Sequence, residues 1–246
     1  GEERAKAFKI LYSNAVINDI EERDFYYTHM VIWDKKYKML AAGQRFLFSK
    51  KGGMENKSYS YLEHYHPKTY EKLINISFCE IGRTFIMPKF QKSIYLIELI
   101  RGFVRIPESK NIRVGIGLIS FDQNHLKKEC TNYFLEILDS SKNKSLDIPK
   151  GKYLYESYNG HKKNLNKKII LKYENLRHIE KKLKDIDSNF KMPDVLKPYL
   201  RYCGISYETY SIAEDYNGKI QLLFSGKSKN ISINQRRFLK KYNIDY

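Results

Sequence analysis

The chain has 246 residues, of which 42% are hydrophobic and 14% aromatic, and its formal net charge is +17. This composition excludes a disordered protein, because a disordered chain with so much charge would hold few aromatic residues. No segment approaches the roughly 20 apolar residues of a membrane span. The surplus of positive charge favours acidic partners: nucleic acid, anionic lipid headgroups or an acidic protein.

The cysteines indicate a reducing compartment. Cys79, Cys130 and Cys203 are odd in number and lack the short spacing of a zinc site, so we expect reduced, mostly buried thiols in a cytoplasmic protein. We predict no metal site. The chain begins at Gly1, with neither an initiator Met nor a signal peptide, which indicates a trimmed sequence.

The first half of the chain predicts alternating helices and strands. Apolar residues at helical spacing predict a first helix over 2–12. A polar turn at 34–38 joins two strands, and a loop follows at 49–60. The remaining predicted elements are strands at 28–34, 39–48, 75–87 and 112–121, and helices at 67–74, 93–105 and 124–138.

The second half is less regular. A long basic surface loop is predicted at 140–165 and a basic helix at 168–186. The segment 193–202 precedes two strands at 205–213 and 219–224 and a last helix at 233–241. We predict one α+β domain over 1–246: a mixed sheet flanked by helices with a core at about 1–140, and an appended C-terminal helix and strand portion at about 165–246.

The strand at 75–87 carries polar residues that an apolar strand does not need. By strand alternation Glu80 and Gly82 face one side and Arg83 the other, unless a bulge intervenes. A glutamate in such a strand requires a partner, solvent or a chemical task, because burying an unpaired carboxylate is costly. A structural alternative is a Glu80 that only pairs with Arg83 or Arg45.

The run EIGRTFIMPKFQKS at 80–93, followed by LIRG at 99–102, resembles the hemolysin-like acyltransferases. These include the N-acyltransferase that makes lyso-ornithine lipid and related enzymes that acylate glycine. Their pattern reads E-(I/L)-(G/S)-R, a short apolar run, H-P-x-(Y/F)-(R/Q), and a helix containing L-W-x-G. Here Met87 replaces the usual His and Ile100 the usual Trp.

Further matches follow in the same order along the chain. Asp24 and His29 in DFYYTHMVIWD resemble the family's D-x-x-x-D-H-L-L-V, with Thr28 where a second Asp is usual. Arg45 in AAGQRFLF resembles the Arg of a G-T-x-R-L strand. The segment PDVLKPYLRYCG at 193–204 resembles one that the family places near the acceptor site.

The resemblance implies a GNAT-like fold close to that of the acyl-homoserine-lactone synthases, which also take acyl groups from acyl carrier protein. The usual acetyltransferase phosphate loop uses glycines so that backbone N–H groups reach a pyrophosphate. Here Gln91, Lys92 and Ser93 occupy that loop without a glycine, so we expect them to bind the phosphate of the donor less closely. We therefore expect no permanently bound cofactor, and an acyl-phosphopantetheine thioester on carrier protein rather than acyl-CoA as co-substrate.

The function this predicts is transfer of a (3-hydroxy)fatty acyl group from acyl carrier protein to the amine of an amino acid such as ornithine or glycine. Glu80 is the candidate base, because burial raises a carboxyl pKa and general-base help is worth about 10²–10⁴-fold in rate. Arg83 is the second catalytic candidate, which would either orient Glu80 or bind the acceptor's carboxylate, and Arg45 is an alternative for the latter task. Backbone N–H groups near Arg83 and Thr84 would meet the oxyanion if the strand bulges there.

The other candidate residues would bind substrates. Asp24 and His29 would shape the acceptor pocket or order the N-terminal loop. Thr84 and Lys197 complete the substrate-binding set. An acidic carrier protein would dock on the basic surface. An anionic membrane is a further expected partner at the cytoplasmic face, through the helix at 168–186, unless that helix is only a solvated face over the core.

Other readings stay open. Thr28, Met87 and Ile100 are what drift would leave in an inactive GNAT scaffold, and an acyl-homoserine-lactone-type synthase is the nearest enzymatic alternative. A nucleic-acid-binding protein is disfavoured because the tyrosines are scattered without a recognition motif. His29 and Asp34 have H-x-x-x-x-D spacing, but Asp34 falls in a turn. We expect His64 and His66 at the surface.

Overall fold

The computed structural model describes residue 4 and residues 20–50, 59–91, 93–142, 146, 148–155 and 171–240. Its centre is a six-stranded mixed sheet in the order β1-β2-β3-β4-β6-β5, in which β3 and β4 pair parallel and the other neighbours antiparallel. The strands are β1 Thr28–Asp34, β2 Met39–Ser49, β3 Phe78–Ile86, β4 Val114–Phe121, β5 Ile205–Ala213 and β6 Lys219–Lys227.

Helices cover both faces of the sheet. The α-helices of the described ranges are α1 Tyr61–Tyr65, α2 Pro67–Leu73, α3 Tyr95–Ser109, α4 Lys128–Ser140, α5 Leu176–Ile186, α6 Leu196–Tyr202 and α7 Ile233–Lys240. Short 3₁₀ turns precede β1 at Glu22–Phe25 and follow β3 at Pro88–Phe90. Of these helices none is both long enough and apolar enough to cross a bilayer.

The two faces of the sheet bury different cores because side chains alternate along each strand. The larger core includes Phe46, Ile81 and Phe224 and packs against the apolar stripes of α3 to α7. On the opposite face a smaller core includes Phe78, Ile116 and Leu223 under α1 and α2. We call the first the helical face and the second the α1 face.

The central strands diverge halfway along their length. β3 and β4 are paired over Phe78–Ile81 and Val114–Gly117. Beyond that point β3 continues along β2, whereas β4 continues along β6. Two parallel strands therefore separate into a V, and each leaves one row of backbone N–H and C=O groups outside this pairing.

Most predicted elements are confirmed within a few residues, and the C-terminal strands β5 and β6 extend the same sheet beyond β4. The three cysteines are free and buried, as expected. The predicted helix over 2–12 lies outside the described residues, except for Arg4. The glycine of the LIRG run has a packing reason, because a Cβ on Gly102 would lie 2.1 Å from the Met30 sulfur on β1.

Three expectations need correction. The loop predicted over 49–60 is followed by α1, which sequence reading missed, although Ser60 caps it by accepting from the Glu63 amide at 3.1 Å. The basic helix begins at Leu176 rather than at 168, and its buried apolar face joins the core. His66 does not lie at the surface but is buried, at 1% exposure, and this burial lowers its pKa to about 3.

Candidate active site

A β-bulge interrupts β3 at the mouth of the V. Gly43 pairs with Phe85 and Arg45 pairs with Gly82, so the two β2 residues are two positions apart and their β3 partners are three positions apart. β3 therefore carries one extra residue here. Arg83 takes the left-handed backbone conformation, with φ +50°. The bulge reverses the expected alternation, because the Arg83 side chain joins Glu80 on the α1 face.

Glu80 is buried at 3% exposure, and its carboxylate accepts four hydrogen bonds. One oxygen accepts from the Tyr27 hydroxyl at 2.7 Å and the Tyr61 amide at 2.9 Å. The other accepts from the Ser60 hydroxyl at 2.5 Å and the Leu62 amide at 3.1 Å. The carboxylate thus sits on the amino end of α1, where the helix dipole favours negative charge. These partners differ from the Arg83 or Arg45 pairing that the structural alternative named.

Glu21, just before the first 3₁₀ turn, joins the two arginines. Its Oε1 accepts from Arg45 at 2.6 Å, from the Tyr61 hydroxyl at 2.7 Å and from Arg83 at 3.1 and 3.3 Å. Tyr61 therefore contributes to two carboxylates, through its amide to Glu80 and through its hydroxyl to Glu21. The two carboxylates therefore share one residue of α1 as a hydrogen-bond donor.

Asp24 ties the N-terminal segment to the sheet. It accepts from both terminal nitrogens of Arg4 at 2.8 and 2.6 Å and from Arg45 at 2.5 Å. The backbone carbonyl of Asp24 lies 2.9 Å from the Nε2 of His29. These contacts hold the segment before β1 against the sheet.

The charged and hydrogen-bonding neighbours of Glu21 and Asp24 lower the pKa of both carboxyl groups. Burial raises the pKa of Glu21, but the Arg83 charge, the Tyr61 hydroxyl and Arg45 outweigh burial and lower it to about 2. Burial also acts on Asp24, yet hydrogen bonds from Arg4 and the Glu21 amide, with Arg45, hold its pKa well below the usual range. A group with so low a pKa is a weak proton acceptor at neutral pH. Neither residue is therefore suited to act as a general base.

The helical face of the bulge is apolar. Thr84 turns to that face and accepts a hydrogen bond from the Tyr199 hydroxyl of α6 at 3.1 Å. The Tyr199 ring packs on Phe103 of α3, with ring centroids 5.4 Å apart. The bulge takes residues 83 and 84 out of the regular register with β2, in which Gly43 pairs with Phe85 and Arg45 with Gly82. Their backbone groups lie where an apolar side and a polar side of the sheet meet.

The remaining predicted residues lie outside this cluster. Lys197 is on α6 and donates to Glu180 of α5 at 2.8 Å. Gln91 and Ser93 precede α3, where the Ser93 hydroxyl accepts from the Tyr95 amide at 3.3 Å. Lys92 lies outside the described residues. In the parts of the chain that are described, no group of three or more His, Cys, Asp or Glu side chains is placed to hold a metal ion.

The structure thus brings together five predicted residues on the α1 face: Asp24, His29, Arg45, Glu80 and Arg83. Sequence reading missed Glu21 and Tyr61. The S-x-x-E pattern at 60–63 is a helix-start signal that could have placed Tyr61. No local pattern could have found Glu21, because its contact with Arg83 spans 62 residues of chain.

Comparisons with known proteins give one matching family model and one similar solved structure. Residues 9–101 match the family model of the acetyltransferase (GNAT) domain, a range that includes β1 to β3 and the bulge. No curated protein sequence gives a significant match. Among solved structures, a CoA-dependent acyl-homoserine lactone synthase, MesI, aligns with 98% of this chain and 86% of its own, with a TM-score of 0.42 and 11% sequence identity. The fold is GNAT-like, a mixed sheet flanked by helices.

Proposed function

We propose that the protein is an N-acyltransferase that moves a fatty acyl group from a phosphopantetheine thioester to the amine of an amino acid. The observation that carries this proposal is the bulge at Arg83 in the mouth of the diverging strands. Such a site offers backbone donors, a buried carboxylate and two arginines around one point. The match of residues 9–101 to the acetyltransferase (GNAT) domain supports the same class of reaction.

The donor would lie in the V between β3 and β4. An amide-containing pantetheine arm in extended form can pair with the open backbone rows of two separating strands, as an added strand pairs with a sheet edge. The thioester carbonyl would then reach the bulge, where the N–H groups of Arg83 and Thr84 stabilise the developing oxyanion. The acyl chain would leave toward the apolar side marked by Tyr199 and Phe103.

The acceptor would approach from the α1 face. Its amine must lose a proton as it attacks, and Glu80 is the proposed acceptor of that proton. To act as base, Glu80 must exchange one of its four present donors for the amine or for a water that connects to it. Arg83 and Arg45 would orient an acceptor that bears a carboxylate, since a guanidinium fork matches a carboxylate.

The phosphate end of the donor would meet the segment before α3. We assign Gln91, Lys92 and Ser93 to it, because anions bind favourably at the start of a helix. Lys36 and Lys89 lie nearby, both over the ring of Tyr37, at 5.4 and 3.5 Å from its centroid. Tyr37 in turn packs on Phe90, directly before this segment. An acidic carrier protein is therefore the proposed partner at this end of the sheet.

An anionic membrane surface remains a second proposed partner. The apolar face of α5 is occupied by the core, so only its charged side, with Arg177, His178 and Lys181, faces outward. Contact there would be electrostatic, at about 1 kcal/mol per cation close to anionic lipid.

The deciding experiment is an acyl-transfer assay. Purified protein is incubated with 3-hydroxyacyl carrier protein or the matching acyl-CoA and a panel of amino acids, and N-acylated product is detected by mass spectrometry. We expect product with at least one amino acid and a large loss in Glu80→Ala. Well-folded wild-type protein that forms no product with any donor and amine would overturn the proposal. Product that is unchanged in Glu80→Ala would retain the function but remove Glu80 from the mechanism.

A further inference from the structure

A carboxylate-binding site in this structure is filled by the chain itself. Arg45, Arg83 and Tyr61 come from two strands and a helix, yet their donors converge on one oxygen, Oε1 of Glu21, at 2.6 to 3.3 Å. A carboxylate oxygen offers about two acceptor positions, so four donors exceed what holding one side chain requires. The arrangement has the composition of a receptor for a small carboxylate.

Two of the receptor residues, Arg45 and Tyr61, are held in place by contacts other than those with Glu21. The Arg45 side chain is 1% exposed, is bonded to Asp24 and lies over the Tyr27 ring at 4.4 Å from its centroid. The Tyr61 ring carries the Arg23 guanidinium at 4.3 Å from its centroid, and the Tyr61 amide is fixed on Glu80. A site held in this way keeps its shape when one occupant leaves, which is what exchange with a substrate requires.

Glu21, in contrast, is placed so that it can leave. Its side chain is 30% exposed and that of Arg83 is 23% exposed, so the Glu21–Arg83 contact borders solvent. Glu21 caps the 3₁₀ turn, in a capping box with Asp24, and does not belong to the sheet. Moving one side chain out would expose the two arginines without breaking a strand pair. An incoming carboxylate would restore the same charge balance, because it replaces one negative charge with another.

We propose that Glu21 is an internal stand-in for the carboxylate of the acceptor, and that an amino acid displaces it to bind Arg45, Arg83 and Tyr61. This inference rests on the proposed acyl transfer and gives it a substrate class: an amine that bears a carboxylate close to the nitrogen. In an α-amino acid the nitrogen is bonded to the carbon that carries the carboxylate. The amine would therefore sit beside Arg83, at the bulge where the thioester carbonyl is expected.

If an amino acid displaces Glu21, substitution of Glu21 should increase affinity, which is not expected for a residue that only lines a pocket. Removing an internal competitor increases affinity, since apparent affinity scales with the fraction of protein whose site is open. Glu21→Gln should therefore bind glycine or ornithine about tenfold more tightly than wild type if the site is open about one tenth of the time. Binding of methylamine and 1,4-diaminobutane, the counterparts without a carboxylate, should not change.

The experiment measures binding without a donor, by isothermal titration calorimetry or NMR titration, in wild type, Glu21→Gln and Glu22→Gln. Glu22 is the matched control, because this neighbouring glutamate accepts only from Tyr59 among the hydrogen bonds seen for it and has no contact with the arginines. Glu21→Asp, which keeps the charge on a shorter side chain, is a second variant should Glu21→Gln fold poorly. It should show a smaller gain of the same sign.

The outcomes separate the site from the reaction. Tighter amino-acid binding in Glu21→Gln, with the amines and Glu22→Gln unchanged, supports the stand-in even if no acyl transfer is found. Unchanged amino-acid binding overturns it, and so does weaker binding, because Glu21 would then contact the acceptor's ammonium group directly. If transfer occurs equally well to amines with and without a carboxylate, the stand-in is wrong while the acyltransferase proposal stands.

Discussion

Two buried glutamates on the same face of the sheet have opposite surroundings. Glu80 lies on β3 opposite Ile116 of β4, and Ile116 lies opposite Ser225 of β6, whose hydroxyl donates to Glu208 at 2.5 Å. At two strand spacings, Glu80 and Ser225 are roughly 10 Å apart. Each glutamate lies in a strand whose register shifts. The shift in β3 is at Arg83, and the shift in β5 is at Glu208 itself.

The number of donors distinguishes them. Glu80 accepts four hydrogen bonds, two of them from the amino end of α1. Glu208 is 0% exposed, and within the described residues its second oxygen has no hydrogen-bond partner. Burial raises the pKa of Glu208 to about 7, although Ser225, Lys142 and Lys227 oppose the shift. A strongly perturbed pKa alone would therefore point to Glu208 as the functional carboxylate, whereas the proposed acyl transfer uses Glu80, beside the bulge, the arginines and the V.

The largest expected effect tests that choice by the same substitution at both sites. Glu80→Gln should lower kcat for acyl transfer by about 10²–10⁴-fold, the usual worth of a general base. Glu208→Gln, an identical chemical change on the same face, should leave kcat within about twofold, because Glu208 lies on the far side of β4 from the bulge. Kinetics are measured at saturating acceptor, with circular dichroism to confirm folding. Equal losses in both variants would contradict the comparison.

The second test measures the free energy of unfolding, for which the expected effect lies at Glu208 rather than at Glu80. A carboxyl whose pKa in the folded protein is raised to about 7 stays protonated after the same group in the unfolded chain has ionised near its ordinary pKa of 4.5. The unfolded state then holds fewer protons, so the stabilising contribution of Glu208 is present at low pH and is lost as pH rises from about 4.5 to 7. Relative to Glu208→Gln, wild type should lose up to about 3 kcal/mol of unfolding free energy over that window.

The measurement is a series of urea titrations of wild type and Glu208→Gln from pH 4.5 to 8. Taking the difference between the two proteins removes the contributions of other titrating groups. A difference that is flat with pH would show that Glu208 is already ionised in the folded protein. The amide of Glu208→Gln brings a donor that must also find a partner, so the sign of the slope, not the absolute stability, is the informative quantity.

The two regions also differ in how far sequence predicts them. β5 and β6 were predicted to within a few residues, but nothing in ISYETYSIA indicates which register shift turns Glu208 inward. Around Glu80 the EIGR run gave the strand, the glutamate and the arginine, because these are local in sequence. The face of Arg83 required the bulge, and a bulge depends on how β2 pairs across it. Glu21 could not be found at all, since its partners are distant in the chain.

The sequence therefore predicts functional groups that are close together in the chain, but it does not predict the pairing register of distant strands. Ser60 and Glu63 show the intermediate case: the helix-start pattern was present, but a short tyrosine-rich segment after a loop reads as loop without the carboxylate of Glu80 beneath it. Here a tertiary contact completes a five-residue helix that is too short to be stable by itself. The site and the helix that caps it are thus specified together.

The smallest expected effect concerns the surface and separates the two ends of the sheet by charge. Lys36 and Lys89 are exposed beside the segment before α3, whereas Lys150 and Lys229 are exposed in the C-terminal half. If an acidic carrier docks near α3, Lys36→Glu/Lys89→Glu should raise KM for acyl carrier protein about tenfold at low salt, through slower association. The effect should shrink as salt screens the charges. kcat, and KM for an uncharged acyl-pantetheine donor, should stay unchanged, because neither lysine reaches the bulge.

The double variant Lys150→Glu/Lys229→Glu makes the same change in net charge and should leave KM nearly constant. Equal effects of the two pairs would mean that overall charge rather than a local docking surface attracts the carrier, and the surface beside the segment before α3 would lose its distinction as the docking side.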